Sequence, residues 1–271
     1  MSKTILITGA STGIGCALAR YLAECGHRVF ITQRQQVCRP IKPGDYPKTL
    51  YMDVRDESSI MEAVQILQQQ FAIKSLDVLI NNAGIAVTGP LEQLTLEEQR
   101  EQFEVNVFGA LTVCRHFLPM LKAGKGKILQ MGSMSSRMAI PFVGMYGASK
   151  AALKQISWSL RLELKPWDVE VCHLELGNFP SEIWNKANIS EEHLAQNPYK
   201  PYLLNIKRLM ESRAQHFNPV NLLCEKVERI IHRKNNPFNI TIGRDARMRK
   251  WLCALLPDKV LENNLLKRLE A

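Results

Sequence analysis

The sequence predicts an α/β protein with a doubly wound parallel sheet of about seven strands and helices on both faces. In the first 175 residues, short runs rich in β-branched residues alternate with stretches whose apolar residues recur every three or four positions. The helical stretches are also long enough to form crossover connections. Strands joined through such a helix pair in parallel, and the crossover is right-handed.

The strands are predicted from their β-branched and apolar content, and six of them precede residue 176. These six span 4–8, 28–32, 49–52, 77–80, 127–131 and 169–174. A seventh strand, 238–242, lies among the helices of the C-terminal third.

Helices are predicted in the intervals between these strands. The first, 13–25, places Ile14, Leu18 and Leu22 on one face, and Asp56 caps a second helix that runs to Phe71. Two helices fill 95–121, and the others span 145–164, 201–215, 220–232, 244–256 and a final basic stretch. No repeat or Gly/Ser linker divides the chain, so residues 1–271 are predicted to form a single domain.

Composition limits the class of protein. Of the 271 residues, 46% are apolar and 23% are charged, which excludes a disordered or fibrous chain. The seven cysteines include no CxxC pair, so we predict neither a disulfide framework nor a metal site. No apolar run approaches the roughly 18 residues of a membrane span, and the start of the chain leaves no room for a signal peptide. We therefore expect a cytoplasmic protein.

Positive charge is concentrated near the C-terminus. The whole chain carries a net charge of +9, and residues 200–271, with 15 basic and 7 acidic side chains, carry +8. A solvated helix face is the simplest explanation, and a membrane surface or a partner is the alternative. Met248–Leu256 is the candidate for a membrane contact, although core packing or a dimer contact fits it better. No zinc-finger or RNP pattern is present, so nucleic acid is not an expected partner.

A glycine-rich loop, Thr8-Gly9-Ala10-Ser11-Thr12-Gly13-Ile14-Gly15, joins the first strand to the first helix. Glycines let the backbone turn sharply and approach a phosphate closely, and the start of the helix presents free N–H groups to the anion. The loop therefore predicts a dinucleotide phosphate site, formed by Gly9, Ser11, Thr12, Gly13, Ile14 and Gly15.

The end of the second strand discriminates between the two nicotinamide cofactors. An acidic residue there would accept hydrogen bonds from a free ribose 2′-hydroxyl, whereas an arginine favours a 2′-phosphate. The chain has Thr32-Gln33-Arg34 and no acid at this place. NADP(H) is therefore the predicted cofactor, with Arg34 on the phosphate, and NAD(H) is the alternative.

Tyr146 and Lys150 are four residues apart in a predicted helix and share one face. A free tyrosine has a pKa of about 10, and a neighbouring amine together with the positive nicotinamide of an oxidised cofactor would lower it. Ser133 follows the fifth strand, at the carboxyl edge where open sheets of this kind bind ligands, and its hydroxyl can orient a substrate oxygen. These residues are typical of a proton-transfer site.

With these motifs the sequence resembles the short-chain dehydrogenase/reductase family, whose fold is of the Rossmann type. The matching positions keep the family's order over the first 180 residues. They are the loop 8–15, Asp53-Val54, Asn81-Asn82-Ala83-Gly84, Asn106, Ser133, and Tyr146 with Lys150.

The resemblance implies a catalytic role for four of these residues. Tyr146 would be the general acid/base, and Lys150 would lower its pKa and hold the nicotinamide ribose. Ser133 would polarise the carbonyl, and Asn106 would support a water-linked proton path to Lys150. The resemblance also implies contacts with the cofactor for Asp53, Val54, Asn82, Ala83 and Gly84.

The chain departs from the family's pattern at three positions. Leu176-Gly177 stands where the family usually has Pro-Gly, and Ser181 takes the place of a threonine that binds the nicotinamide amide. Gly177 and Ser181 are still predicted to contact the cofactor. Thr12 replaces the basic residue that many NADP-using members carry in the loop, which leaves Arg34 with less help in holding the 2′-phosphate.

The C-terminal third is similar to the hydroxysteroid and retinol dehydrogenase branch, through Ile242-Gly243, Asp245-Ala246 and the helix end Leu255-Leu256-Pro257. This similarity implies a bulky, lipophilic alcohol or ketone, and we expect a steroid, a retinoid or an aliphatic ketone as the substrate. We also expect a homo-oligomer, either a dimer or a tetramer. Residues 1–180 would form the cofactor-binding and catalytic core, and 181–271 a substrate-side lid with the C-terminal helices. Lid candidates are Phe179, Ile183, Trp184, Tyr199, Tyr202 and Leu203.

Two functions of different classes follow. The first is an oxidoreductase that transfers a hydride between NADP(H) and a lipophilic alcohol or carbonyl, while Tyr146 carries the proton. The second is a non-catalytic NADP(H)-binding regulator or scaffold with the same fold. The intact set Asn106, Ser133, Tyr146 and Lys150 argues against the second, because a binding module needs no acid/base group.

Overall fold

The computed structural model describes residues 1–34, 47–184, 197–214 and 217–270, and these residues include a sheet of seven strands. In chain order the strands are β1 (Thr4–Ile7), β2 (Arg28–Gln33), β3 (Lys48–Tyr51), β4 (Val78–Asn81), β5 (Lys127–Met131), β6 (Glu170–Leu176) and β7 (Asn239–Ile242). Across the sheet their order is β3-β2-β1-β4-β5-β6-β7. All neighbours are parallel, with Leu6 opposite both Phe30 and Leu79. The predicted doubly wound parallel sheet is confirmed.

The helices lie close to their predicted positions. They are α1 (Gly13–Glu24), α2 (Glu57–Gln69), α3 (Leu96–Phe103), α4 (Ala110–Gly124), α5 (Gly144–Glu163), α6 (Lys200–Ala214), α7 (Val220–His232), α8 (Arg244–Leu255) and α9 (Asp258–Glu270). Asp56 caps α2 as predicted, because its carboxylate accepts the N–H of Ser58 at 2.9 Å.

A π-helical segment, Glu104–Gly109, joins α3 to α4 and was not predicted. The wider turn of a π-helix shifts the side chains that follow it around the helix axis. An apolar pattern with α-helical spacing gives no sign of such a shift, and the segment contains Asn106.

The sheet has an apolar layer on each face. On one face, Leu22 of α1 and Val227 of α7 pack in a cluster with Ile5, and all three are fully buried. On the other face, Phe117 of α4 packs in a cluster with Leu6. Successive residues of β1 therefore point to opposite layers, which is why the strand reads as a continuous apolar run.

One apolar stretch lies on the surface. Met248, Trp251, Leu252 and Leu255 of α8 share a face and are between 40% and 72% exposed. Core packing, one of the two alternatives favoured for Met248–Leu256, is therefore wrong for these four side chains, because α8 turns the opposite face, with Ala246, to the interior, and the dimer contact stays a prediction. Among the described residues, no helix combines the length and the apolar character that a membrane span requires.

Candidate active site

A cavity of about 820 Å³ opens at the carboxyl edge of the sheet, where β1 and β4 are neighbours. The strand order reverses between these two strands, so the segments that follow them diverge and leave a crevice. All predicted site residues except Asn106 line it. They are Gly9, Ser11, Thr12, Gly13, Ile14, Gly15, Arg34, Asp53, Val54, Asn82, Ala83, Gly84, Ser133, Tyr146, Lys150, Gly177 and Ser181.

The glycine loop leaves room for an anion. Gly13 has a φ of +58°, which favours glycine, and a Cβ at this position would meet no atom closer than 3.8 Å, so nothing crowds the backbone there. The first turn of α1 closes with the N–H of Cys16 on Thr12 O at 3.3 Å. The N–H groups of Gly13, Ile14 and Gly15 precede this bond and have no partner within the helix. No acid lies in the first turn, which suits a bound phosphate.

Asn82 links the glycine loop to the end of β4 through hydrogen bonds. Its Nδ2 donates to Thr8 O and Gly9 O, both at 2.9 Å. The hydroxyl oxygen of Thr8 accepts the N–H groups of Asn82 and Ala83, both at 3.0 Å. The two crevice walls are therefore joined directly by hydrogen bonds.

The ends of β2 and β3 form the part of the cavity predicted to hold the adenine and the 2′-phosphate. Arg34 is exposed there. The carboxylate of Asp53 accepts the Nη2 of Arg55 at 2.7 Å, and hydrogen bonds from Arg55 lower the pKa of Asp53. An anion beside Arg34 therefore does not meet an unpaired acid. Gln33 Nε2 is buried and has no partner among the described residues, so a donor is available to a bound group. These residues fit an NADP(H) molecule.

Tyr146 and Lys150 lie on one face of α5, and both are buried. Lys150 Nζ is 5.8 Å from the centroid of the Tyr146 ring and donates to Met131 O at 2.9 Å. Ser133 Oγ accepts the N–H of Ser135 at 3.1 Å. Ser133, Tyr146 and Lys150 lie within 17 residues of one another in the chain, and their side chains meet in one wall of the cavity.

The pKa of Tyr146 differs from the expectation. Burial raises it, and a hydrogen bond with Ser133 only partly opposes the rise. The lowering expected from Lys150 together with the positive nicotinamide of an oxidised cofactor stays a prediction. Burial also lowers the pKa of Lys150 to about 8. A smaller fraction of its amine is then charged, and the electrostatic effect of the amine on the phenol is weaker.

Asn106 lies behind the cavity wall instead of in it. Its Oδ1 accepts the N–H of Ile85 at 2.9 Å, and its Nδ2 donates to Ile85 O at 3.0 Å and to Ser149 Oγ at 3.1 Å. These bonds tie the segment after β4 to α5. The water-linked proton path from Asn106 to Lys150 stays a prediction.

The segment after β6 reaches the glycine loop despite its departure from the family's pattern. The N–H of Gly177 donates to Ile242 O at 2.9 Å, and the N–H of Asn178 donates to Asp245 Oδ2 at 2.9 Å. The chain then brings Ser181 Oγ to 3.9 Å from the position that a Cβ of Gly13 would occupy. Asp245, from the start of α8, had no predicted role in this path.

The lid candidates divide into two groups. Four of them line the cavity, namely Phe179, Ile183, Trp184 and Leu203. The other two do not line it: the hydroxyl of Tyr199 donates to Glu92 at 3.0 Å, and Tyr202 is 41% exposed outside the cavity. Lys207 and Arg249 also line it. Sequence reasoning missed both, because α6 and α8 lie far along the chain from every motif of the site.

Similar proteins cover nearly the whole chain. The family model for short chain dehydrogenase matches residues 3–192. A 3-ketodihydrosphingosine reductase of Bacteroides thetaiotaomicron is 35% identical over 267 residues, which cover 96% of this chain and 95% of the relative. An NADPH-dependent 3-dehydrocapnine reductase of Ornithobacterium rhinotracheale is 30% identical over 273 residues, with coverage of 98% and 96%. The crystal structure of a short-chain dehydrogenase from Streptomyces avermitilis superimposes with a TM-score of 0.80 at 26% identity, covering 99% of this chain and 98% of the other.

Proposed function

The chain belongs to the short-chain dehydrogenase family, and on that premise we propose that it reduces a long-chain aliphatic ketone to the alcohol. It is an NADP-dependent oxidoreductase of CH–OH or carbonyl groups, and the substrate class and the direction of reaction are the proposal.

The environment of Tyr146 carries this proposal. Its ring packs edge-on against Trp184, with centroids 5.2 Å apart, and Ile183 and Phe179 line the same cavity. Burial raises the pKa of the phenol above its usual value, which favours the protonated form. A protonated phenol can donate its proton to a carbonyl oxygen during reduction, whereas alcohol oxidation needs the phenolate as a base.

The predicted catalytic and cofactor-binding residues then divide the work of the reaction among them. Ser133 donates a hydrogen bond to the substrate carbonyl oxygen, and Tyr146 donates the proton that this oxygen takes up. Lys150 holds the nicotinamide ribose, the start of α1 binds the pyrophosphate, and Arg34 binds the 2′-phosphate. NADPH, when bound, supplies the hydride.

The relatives support an aliphatic substrate. Two of them, aligned over nearly their whole length, are named as reductases of 3-ketodihydrosphingosine and 3-dehydrocapnine, which are long-chain amino ketones. An apolar wall formed by Phe179, Ile183, Trp184 and Leu203 suits an alkyl chain. Steroid and retinoid carbonyls are the competing class from the sequence.

A substrate panel tests the proposal. Purified protein is mixed with NADPH and, in separate reactions, with 3-ketodihydrosphingosine, a steroid ketone and retinal, and the loss of NADPH absorbance is followed. We expect kcat/KM for the long-chain ketone to exceed the other values by at least about tenfold. A higher value for the steroid or the retinoid contradicts the substrate class, and no oxidation with any of them contradicts the proposed activity.

We also propose that the protein works as a homo-oligomer in the cytoplasm. Trp158 and Leu162 on α5 are 50% and 67% exposed, and such apolar side chains suit a contact between copies. The six described cysteines are free, which suits a reducing compartment. Sedimentation velocity should show a dimer or tetramer, and sedimentation with phosphatidylglycerol vesicles should leave the protein in solution. A monomer that pellets with the vesicles contradicts this proposal and favours α8 as a membrane contact.

A further inference from the structure

A carboxylate with no solvent exposure lies at the carboxyl end of β6. One oxygen of Glu175, Oε1, accepts hydrogen bonds from Arg137 Nε at 2.8 Å and from Lys154 Nζ at 2.6 Å. The other, Oε2, accepts the hydroxyl of Thr241 on β7 at 3.2 Å. Two cations from different segments thus share one buried oxygen atom.

Both cations are attached to segments that carry candidate catalytic residues. Arg137 ends the short helical turn that begins at Ser133, and its N–H donates to Met134 O at 3.1 Å. Within this turn the hydroxyl of Ser136 donates to Ser133 O at 2.7 Å, so Ser133 and Arg137 belong to one hydrogen-bonded turn. Lys154 lies four residues after Lys150 and therefore one turn further along α5.

The charge of Glu175 is required for this arrangement. Burial by itself would raise the pKa of the carboxyl, but hydrogen bonds from Lys154 and Arg137 outweigh burial and hold the pKa at about 2. The carboxylate is therefore ionised at neutral pH. A buried anion that loses one partner is costly, so the two cations stay in place together.

We propose that Glu175 is a positioning residue that sets the distance between Ser133 and the Tyr146–Lys150 face of α5. The residue contacts neither the cavity nor its ligands and acts only through Arg137 and Lys154. The proposal rests on the proposed function, because a change in this distance is measured as a change in kcat. Displacements of about 1 Å in a catalytic site can lower a rate by about 100-fold.

Glu170 provides a matched control on the same strand. Its Oε2 lies 2.9 Å from Lys127 Nζ and accepts a hydrogen bond from Asn236 Nδ2 at 3.1 Å, so it is also a carboxylate with a lysine partner, although 17% of its side chain is exposed. It lies at the amino end of β6, away from the cavity. A purely stabilising role would give the two glutamates the same behaviour.

The experiment compares Glu175→Gln with Glu170→Gln. We expect Glu175→Gln to lower kcat by about 30-fold or more while the Kd for NADPH, measured by fluorescence, changes less than about twofold. Glu170→Gln should lower the melting temperature and leave kcat within about twofold. Equal losses of kcat in both variants, or an unchanged kcat in Glu175→Gln, would overturn the proposal.

A second measurement needs no substrate and so separates this proposal from the proposed function. Hydrogen exchange, followed by mass spectrometry, should accelerate in peptides covering 133–137 and 146–154 of Glu175→Gln and stay unchanged there in Glu170→Gln. If Glu175→Gln does not fold, Lys154→Met, which removes a partly exposed partner, should show the same pattern. Unchanged exchange in both segments contradicts the positioning role, even if the wild-type protein reduces none of the ketones.

Discussion

Two lysines at the amino edge of the sheet differ from Lys150 at its carboxyl edge in the partner that each amine has. At the amino edge, Lys3 pairs with Asp77 and Lys127 pairs with Glu170, both at 2.9 Å, next to the starts of the strands. At the carboxyl edge, Lys150 is buried beside the cavity, and the bond that fixes its amine goes to a backbone carbonyl. Among the described residues Lys150 has no carboxylate partner, whereas Lys154, one turn further along α5, pairs with Glu175, so the charge of Lys150 is available to a bound ligand.

This difference identifies Lys150 as a position at which burial of a charged group lowers the folding stability of a functional site. Lys3 and Lys127 at the amino edge each have a carboxylate that compensates the charge of the amine. Lys150 lacks one, and burial therefore lowers its pKa from 10.5 to about 8. Groups whose pKa is displaced by burial inside a cleft are typical of functional sites.

The largest expected effect is that of Tyr146→Phe. This variant keeps the buried ring and removes the proton donor, so we expect kcat to fall by roughly 10²–10⁴-fold. The Kd for NADPH should stay within about twofold, because the ring still fills its place. Steady-state kinetics and a fluorescence titration measure the two quantities. Tyr202→Phe, on the exposed side of α6, is the matched control and should keep full activity; a comparable kcat for the two variants refutes the assignment.

Next in size is Arg34→Ala. The loss of charge-assisted hydrogen bonds costs about 1.5–3 kcal/mol, so the Kd for NADPH should rise roughly 10- to 150-fold. The Kd for NADH should hardly change, since that cofactor has no 2′-phosphate. Arg20→Ala, an exposed arginine on α1, controls for the loss of one positive charge. An equal weakening of both cofactors by Arg34→Ala rules out its role in specificity.

A smaller effect concerns pH. The pKa of Lys150 is about 8 because of burial, so its amine is charged below that pH and neutral above it. The pH dependence of kcat/KM reports groups of the free enzyme. We expect kcat/KM for reduction to fall by up to about tenfold per pH unit as the pH rises above 8. A pH profile that stays flat well beyond this value shows that the charge of Lys150 is not needed.

The smallest effect compares the stability of the two edges. The folded pKa of Lys150 lies below its unfolded value, so its buried charge costs stability below pH 8, and this cost disappears between pH 8 and 10.5. At neutral pH, Lys150→Met should therefore raise the melting temperature by about 2–4 °C while activity is lost. Glu170→Gln at the amino edge should lower it by a similar amount. Calorimetry that finds a lower melting temperature for both variants contradicts the contrast between the edges.

The sequence predicts the parts of the site that are local in the chain. The glycine loop lies within eight residues, and Tyr146 and Lys150 share one helical turn, so spacing alone determines their geometry. The sheet is likewise predicted, because each strand is an apolar run and each crossover contains a helix.

The contacts that the sequence does not predict are those between distant segments. Glu175 is 38 residues from Arg137, and Arg249 reaches the cavity from α8. The pKa of Tyr146 depends on burial, which spacing does not reveal. The π-helical segment that carries Asn106 is missed because an apolar pattern does not distinguish a wider turn from an ordinary one.

We propose that the cavity at the carboxyl edge of the sheet is the catalytic site. A crystal structure with NADP⁺ and the alcohol product is the most direct test of this proposal. We expect the nucleotide to run along Gly13 and Arg34, and the alcohol oxygen to lie within hydrogen-bond distance of the hydroxyls of Tyr146 and Ser133. A nucleotide bound outside this cavity, or an alcohol oxygen remote from Tyr146, would contradict the account.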